Sequence, residues 1–209
     1  MKNIFLTGNL GYIGSTLSQK LSKNHNCNLV GFDSNLYNGC GFETFNLPKT
    51  QIVEDIRNIN KHHIENIDVI IHPSALSNDP VGELNADLTD DINYKSTIKL
   101  AKIAKEQRIK RFIFISSQSM YGVSNTDDEL DEFKSNKNPI TSYAQTKWQA
   151  EQELHKLQDD DFEIIILRPS TVFGMSPMFR SDIVFNNLLS SALSTNKIKI
   201  LTEGMPWRP

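Results

Sequence analysis

The stretch "TGNLGYIG", Thr7 to Gly14, decides how the rest of the chain reads. Gly8, Gly11 and Gly14 recur every third residue between a short apolar run, 3–7, and an amphipathic run, 15–22, with Leu17 and Leu21 on one helical face. Any one of these glycines alone is an ordinary turn residue. Three of them at a strand-to-helix junction read as a phosphate cradle. The first turn of a helix carries unpaired N–H groups and the positive end of the helix dipole. Gly8 makes the turn, Gly11 lets a pyrophosphate approach the backbone, and Gly14 lets the helix pack closely on the strand.

A glycine motif of this kind needs a βαβ unit around it and an acid about 20 residues further on. Both are present. Residues 28–33 form a second apolar strand ending in Asp33, 19 residues after Gly14. A carboxylate there accepts both hydroxyls of an adenosine ribose and repels a 2′-phosphate, which favours NAD over NADP. The competing reading of Asp33 is a turn residue, since Ser34 and Asn35 follow it.

Further apolar, β-branched runs at 51–53, 68–72, 111–116 and 163–168 alternate with helical patterns at 56–64, 84–107 and 142–157. Continuous runs suit strands covered on both faces. The alternation predicts an α/β fold, a doubly wound parallel sheet of the Rossmann type with right-handed crossovers. Beyond Pro169 the pattern weakens to a loop over 173–177, a helix over 183–193 and a short strand over 197–201. The acidic stretch 127–132 reads as a solvated loop.

At 209 residues the chain holds one good-sized domain or a domain and a half. A net charge of −3 gives no reason to expect nucleic acid or an anionic membrane as partner. No apolar run is long enough to span a bilayer. The first apolar run ends at Leu6 with glycine turns after it, a buried-strand pattern rather than a signal peptide. Cys27 and Cys40 lack metal-ligand spacing, the histidines form no ligand pattern, and no metal is expected. The cysteine usage fits a reducing cytoplasm.

One Tyr-x-x-x-Lys, Tyr143 to Lys147, opens the helix between the fifth and sixth strands, and the fifth strand runs out into Ser116-Ser117. The motif alone also fits a surface pair at i, i+4. Its position says more. In a doubly wound sheet the C-terminal strand ends form the ligand crevice, so Ser117 and Tyr143 are expected to face whatever the glycine turn holds.

Taken together these segments resemble the extended short-chain dehydrogenase/reductase superfamily, of the NAD-dependent epimerase/dehydratase type. "TGNLGYIG" resembles its TGxxGxxG turn, with Tyr12 and Ile13 at the cofactor beside the three glycines. "EDIRN" resembles the segment that places Asp55 and Ile56 at the adenine. "HPSAL" resembles HxAA, with Ser74 at the cofactor, although Pro73 and Ser74 depart from the usual small or aliphatic residues. Asn93 matches a structural asparagine, and "SSQSMYG", "YAQTK" and "LRPSTVFG" resemble SSxxxYG, YxxxK and LRPxxVYG.

The resemblance implies NAD as cofactor and a sugar-nucleotide substrate. It implies Tyr143 as general base, Lys147 as its electrostatic partner and ribose ligand, and Ser117 as the group orienting the substrate hydroxyl. Dehydratases of the family carry an Asp-Glu pair after the catalytic Ser/Thr, where this chain has Gln118 and Ser119, so an epimerase is expected. A non-catalytic NAD-binding scaffold and an NADH-dependent reductase are the alternatives. "GMPWRP" resembles the family segment whose arginine meets substrate pyrophosphate, here Arg208, with Asn186 or Asn187 as a further phosphate ligand. A cofactor domain over 1–172 and a partial, truncated substrate lobe over 173–209, weakly active by itself, are expected. So is a homodimer formed through Ile92, Ile98, Leu100, Ile103 and Ala104 of one helix and Trp148, Leu154 and Leu157 of another.

Overall fold

The computed structural model describes residues 1–42, 46–123 and 130–200. Six parallel strands form one sheet in the order β3-β2-β1-β4-β5-β6. They are β1 (Lys2–Thr7), β2 (Cys27–Asp33), β3 (Thr50–Val53), β4 (Val69–His72), β5 (Arg111–Ile115) and β6 (Glu163–Leu167). The chain winds outward from β1 in one direction to β3, then returns to β4 and winds the other way. The reversal between β1 and β4 opens a crevice at the C-terminal strand ends. Helix α1 (Tyr12–Ser22) leads from β1 to β2.

The main core lies where the sheet meets the helices between β4 and β6. Phe5, Phe32, Ile70, Phe112 and Phe114 are buried from the strands, and Leu100, Ala101, Ala104, Ala150 and Leu154 from the helices. Each phenylalanine contributes roughly 2–3 kcal/mol by leaving water.

The strands lie where the apolar runs place them; the helices differ. The helix expected over 56–64 is two 3₁₀ turns, Ile56–Asn58 and Lys61–Ile64. Asp55 accepts from Arg57 N–H and Asn60 from His62 N–H, so each side chain starts a turn of its own, and Ile59 between them is extended. The helix expected over 84–107 starts earlier and is interrupted: α2 (Asp79–Leu84), α3 (Ala86–Asp90), a π turn at Asp91–Lys95, and α4 (Ser96–Glu106). Asn85 breaks it by leaving the helical region and capping α3 through Leu88 N–H. Helix α5 (Ser142–Leu157) spans its expected range, and α6 (Val184–Thr195) runs two residues past its expected end.

The strand expected over 197–201 is absent from residues 197–200, and Leu201 lies outside the described residues. None of the described strands pairs with that segment, and an unpaired strand has nothing to satisfy its backbone. In α6, Phe185 and Leu189 are half-exposed. Of the apolar residues expected at a dimer face, Leu100, Ala104 and Leu154 instead point into the subunit core. Tyr94 of the π turn, with Ile98 and Ile103 of α4, lines a shallow outer groove. No helix among the described residues is long and apolar enough to cross a membrane.

Candidate active site

The glycine turn has the shape of a cradle. Gly8 has φ of +60°, and a Cβ there would meet the Ser74 backbone at 2.9 Å. A Cβ on Gly14 would lie 1.9 Å from the Gly8 carbonyl oxygen, so only glycine fits. Gly11 caps α1 without a side-chain acceptor, and the first turn contains no acid. The N–H groups of Tyr12, Ile13 and Gly14 are thereby left for an anion. Asp33 ends β2 beside them, its Oδ2 accepting from Leu10 N–H at 3.1 Å and its Oδ1 from Asn35 N–H at 2.8 Å. Burial pushes its pKa up, against the pull of those two bonds. Each oxygen keeps a lone pair for a ribose hydroxyl. Asp55 lines the same cleft, with its carboxylate forked on Arg57. This cradle fits a dinucleotide.

Across the crevice, Ser117 follows β5 and caps the 3₁₀ turn Gln118–Tyr121, accepting from Ser119 N–H at 3.1 Å and donating to Ser119 Oγ at 3.0 Å. Tyr143 sits in the first turn of α5, which Thr141 caps through Ala144 N–H. Lys147 lies one turn later on the same face. Its Nζ donates to the Ile115 carbonyl at 2.8 Å and lies 4.5 Å from the centre of the Phe114 ring. Burial pushes Lys147 down to about 7, with Glu151 acting the other way. It pushes the Tyr143 phenol up, against the neighbouring Ser117 hydroxyl. Drawing the phenol down against that burial takes a charged Lys147 and a further positive group beside the ring.

Under Lys147 lies His72, fully buried at the end of β4. The single hydroxyl proton of Thr97 goes to the Asn93 carbonyl at 2.7 Å. Thr97 Oγ1 must therefore accept from His72 Nε2–H at 2.8 Å, and Nδ1 accepts from Thr7 Oγ1 at 2.7 Å. Both ring nitrogens are used by a neutral imidazole, and burial, then Lys147, pushes its pKa down to about 3. Between pH 6.5 and 3 the unfolded chain binds the proton that the folded one refuses, so stability falls as pH falls through that window. Thermal melts should show a loss of about 1.4 kcal/mol per pH unit there. A His72→Gln variant, less stable at pH 7, should have a flatter profile. An unchanged acid slope in that variant would remove His72 as its source.

A single cleft of about 830 Å³ collects these groups. Gly8, Gly11, Tyr12, Ile13, Gly14, Asp33, Asp55, Ile56, Ser74, Ser117, Tyr143 and Lys147 all line it. Asn186 does not. It is buried, its Oδ1 accepting from Gly174 N–H and its Nδ2 donating to Tyr12 OH and the Arg180 carbonyl. As placed, it fastens the start of α6 to the glycine turn instead of facing a substrate phosphate. Arg208 lies outside the described residues.

Arg180 lines the cleft although no sequence signal marked it. It bridges the crevice from Asp182 to Ser77 Oγ, 2.8 Å away. A lone arginine in an aperiodic loop gives no pattern to read; only the fold brings it near Tyr143.

The model of the NAD dependent epimerase/dehydratase family matches residues 4–209. The chain belongs to the NAD-dependent epimerase/dehydratase family. Among its relatives, UDP-glucose 4-epimerase of Vibrio cholerae is 28% identical over 83% of this chain and 52% of its own length. The dTDP-D-glucose 4,6-dehydratase of Homo sapiens is 27% identical over 83% of this chain and 52% of its own. The crystal structure of UDP-glucuronic acid 4-epimerase from Bacillus cereus, in complex with UDP-glucuronic acid and NAD, superposes with a TM-score of 0.80. It is 27% identical over 99% of this chain and 68% of that one. The chain thus spans about half the length of these curated relatives and two thirds of that structure.

Proposed function

We propose that this family member binds NAD and epimerises a sugar nucleotide through a keto intermediate. The observation that carries this is the shared cleft: the glycine cradle and Asp33 line one side, and Ser117, Tyr143 and Lys147 line the other. When bound, NAD supplies a reversible hydride acceptor. Tyr143 takes the proton from a substrate hydroxyl at its phenol oxygen and later returns it. Ser117 gives up its bond to Ser119 to orient that same substrate oxygen. Lys147, once charged, holds the phenolate and the nicotinamide ribose. Gln118 and Ser119 occupy the positions of the dehydratase acid pair and do not ionise near neutral pH, which supports epimerisation over 4,6-dehydration. Retention of Ser117, Tyr143 and Lys147 together supports an enzyme rather than a scaffold.

The deciding experiment is turnover with a panel of sugar nucleotides, with products resolved by NMR. Interconversion at one stereocentre supports the reading; a net dehydrated or reduced product overturns it. Weak turnover by these 209 residues is part of the proposal: Val184 of α6 lines the cleft, and Phe185 and Leu189 beyond it are half-exposed.

Cofactor choice gives an independent check. A 2′-phosphate within ~4 Å of the Asp33 carboxylate meets a repulsion of a few kcal/mol at an effective dielectric near 20, more than tenfold in Kd. Calorimetry should find NAD bound at least tenfold more tightly than NADP, and Asp33→Ala should narrow the gap. Tighter binding of NADP by the native chain would remove Asp33 from the ribose site.

A further inference from the structure

Behind the catalytic face, Arg168 at the end of β6 makes contacts to three separate segments. Its Nε and Nη2 fork onto the fully buried Glu151 carboxylate at 3.1 and 2.6 Å. Its Nη1 donates to Tyr121 OH and to the Glu132 carbonyl, each at 2.8 Å. Glu151 lies on α5 one turn beyond Lys147, and Tyr121 ends the 3₁₀ turn that Ser117 caps. We propose that Arg168 is a positioning residue, clamping the helix that carries Tyr143 and Lys147 to the turn that carries Ser117 and thereby fixing their spacing.

The planar fork suits this task. A guanidinium offers five donors at fixed angles, and here four of them are committed to three segments. A lysine offers its donors from one nitrogen and cannot span the separate positions that the fork reaches. The pair also acts on charge. Lys147 is faced by His72 from β4, by Phe114 and the Ile115 carbonyl from β5, and by Tyr143 and Glu151 from its own helix. Glu151 is the one anion among these, and Arg168 compensates it. Tyr143 is faced by Ser117, by Asp79 of α2, by Arg180 and by Lys147.

The two partners therefore have opposite electrostatic effects. Removing the Glu151 charge loosens the Lys147 ammonium, which then loses its proton at lower pH. Removing the Arg168 charge leaves Glu151 uncompensated, which holds the ammonium more firmly, and its proton leaves at higher pH. General loosening of the fold would move both variants the same way.

The test is a pH titration of the Lys147 ammonium by NMR of its ¹³Cε, assigned by its absence in Lys147→Arg, in the protein without substrate. Glu151→Gln should shift the transition to acid pH and Arg168→Met to alkaline pH. Shifts in one direction, or none, overturn the proposal. If Arg168→Met does not fold, the Glu151→Gln titration decides, an acid shift supporting the clamp and no shift overturning it. Tyr121→Phe, which releases one arm only, should leave the Lys147 transition in place and lower kcat roughly 10- to 100-fold at constant KM. An unchanged kcat, or a loss carried by KM, overturns the spacing role. The turnover arm rests on the proposed epimerase reading; absent wild-type turnover would defeat that reading, while the Lys147 titration still judges the clamp.

Discussion

Gly14→Ala is expected to abolish NAD binding. The new methyl group would sit 1.9 Å from the Gly8 oxygen, 2.7 Å from its carbonyl carbon and 2.8 Å from the Asn9 Cα. These are backbone atoms with no side chain to swing aside, so the turn must open or α1 must tilt away from β1. Either movement disperses the N–H groups that form the cradle. Gly11→Ala provides the graded comparison, because its methyl would meet the same oxygen at 3.3 Å, tight but accommodated by a small shift. Calorimetry should therefore rank Kd as native, then Gly11→Ala, then Gly14→Ala, with the last at least 100-fold weaker, about 2.7 kcal/mol. Native-like affinity in a folded Gly14→Ala protein would mean that the dinucleotide lies elsewhere.

Tyr143→Phe is the second large effect. The phenylalanine keeps the ring in place, and the cradle and Asp33 are untouched. Turnover should fall by roughly 10²- to 10⁴-fold, the range of a lost general base. The Kd for NAD should stay within about twofold of native. Parallel loss of both would point to a structural role for the ring, and residual turnover within tenfold of native would assign the proton to another group.

How much of this was legible in the sequence depends on whether a signal is local. The strands show as apolar runs because both faces of a parallel sheet are covered, so no polar residue interrupts 111–115 or 163–167 apart from the ends. The cradle shows because steric demand leaves only glycine at Gly8 and Gly14. Ser117, Tyr143 and Lys147 show because strand end and helix start fix their direction. What escaped was set by competition between side chain and backbone. Asp55, Asn60 and Asn85 each accept from a nearby N–H and restart a turn where periodicity alone predicts one continuous helix. Arg180 and the inward role of Asn186 escaped for a different reason: both depend on a loop folding back over segments more than 100 residues earlier, Ser77 for Arg180 and Tyr12 for Asn186.

The π turn at Asp91–Lys95 sets a phase relation in the chain. Ser96 N–H bonds back to the Asp91 carbonyl, five residues earlier, so one residue more than an α turn occupies that loop of helix. Each residue is worth about 100° of rotation. The surplus lets Asn93 bind Leu76 N–H at 2.8 Å and approach Thr146, next to Lys147, while Leu100, Ala101 and Ala104 still meet the sheet. Deleting one residue here would restore regular winding and turn one of those two faces away from its partner. The length of this segment is thus held to a fixed count, a constraint separate from the choice of residues that fill it.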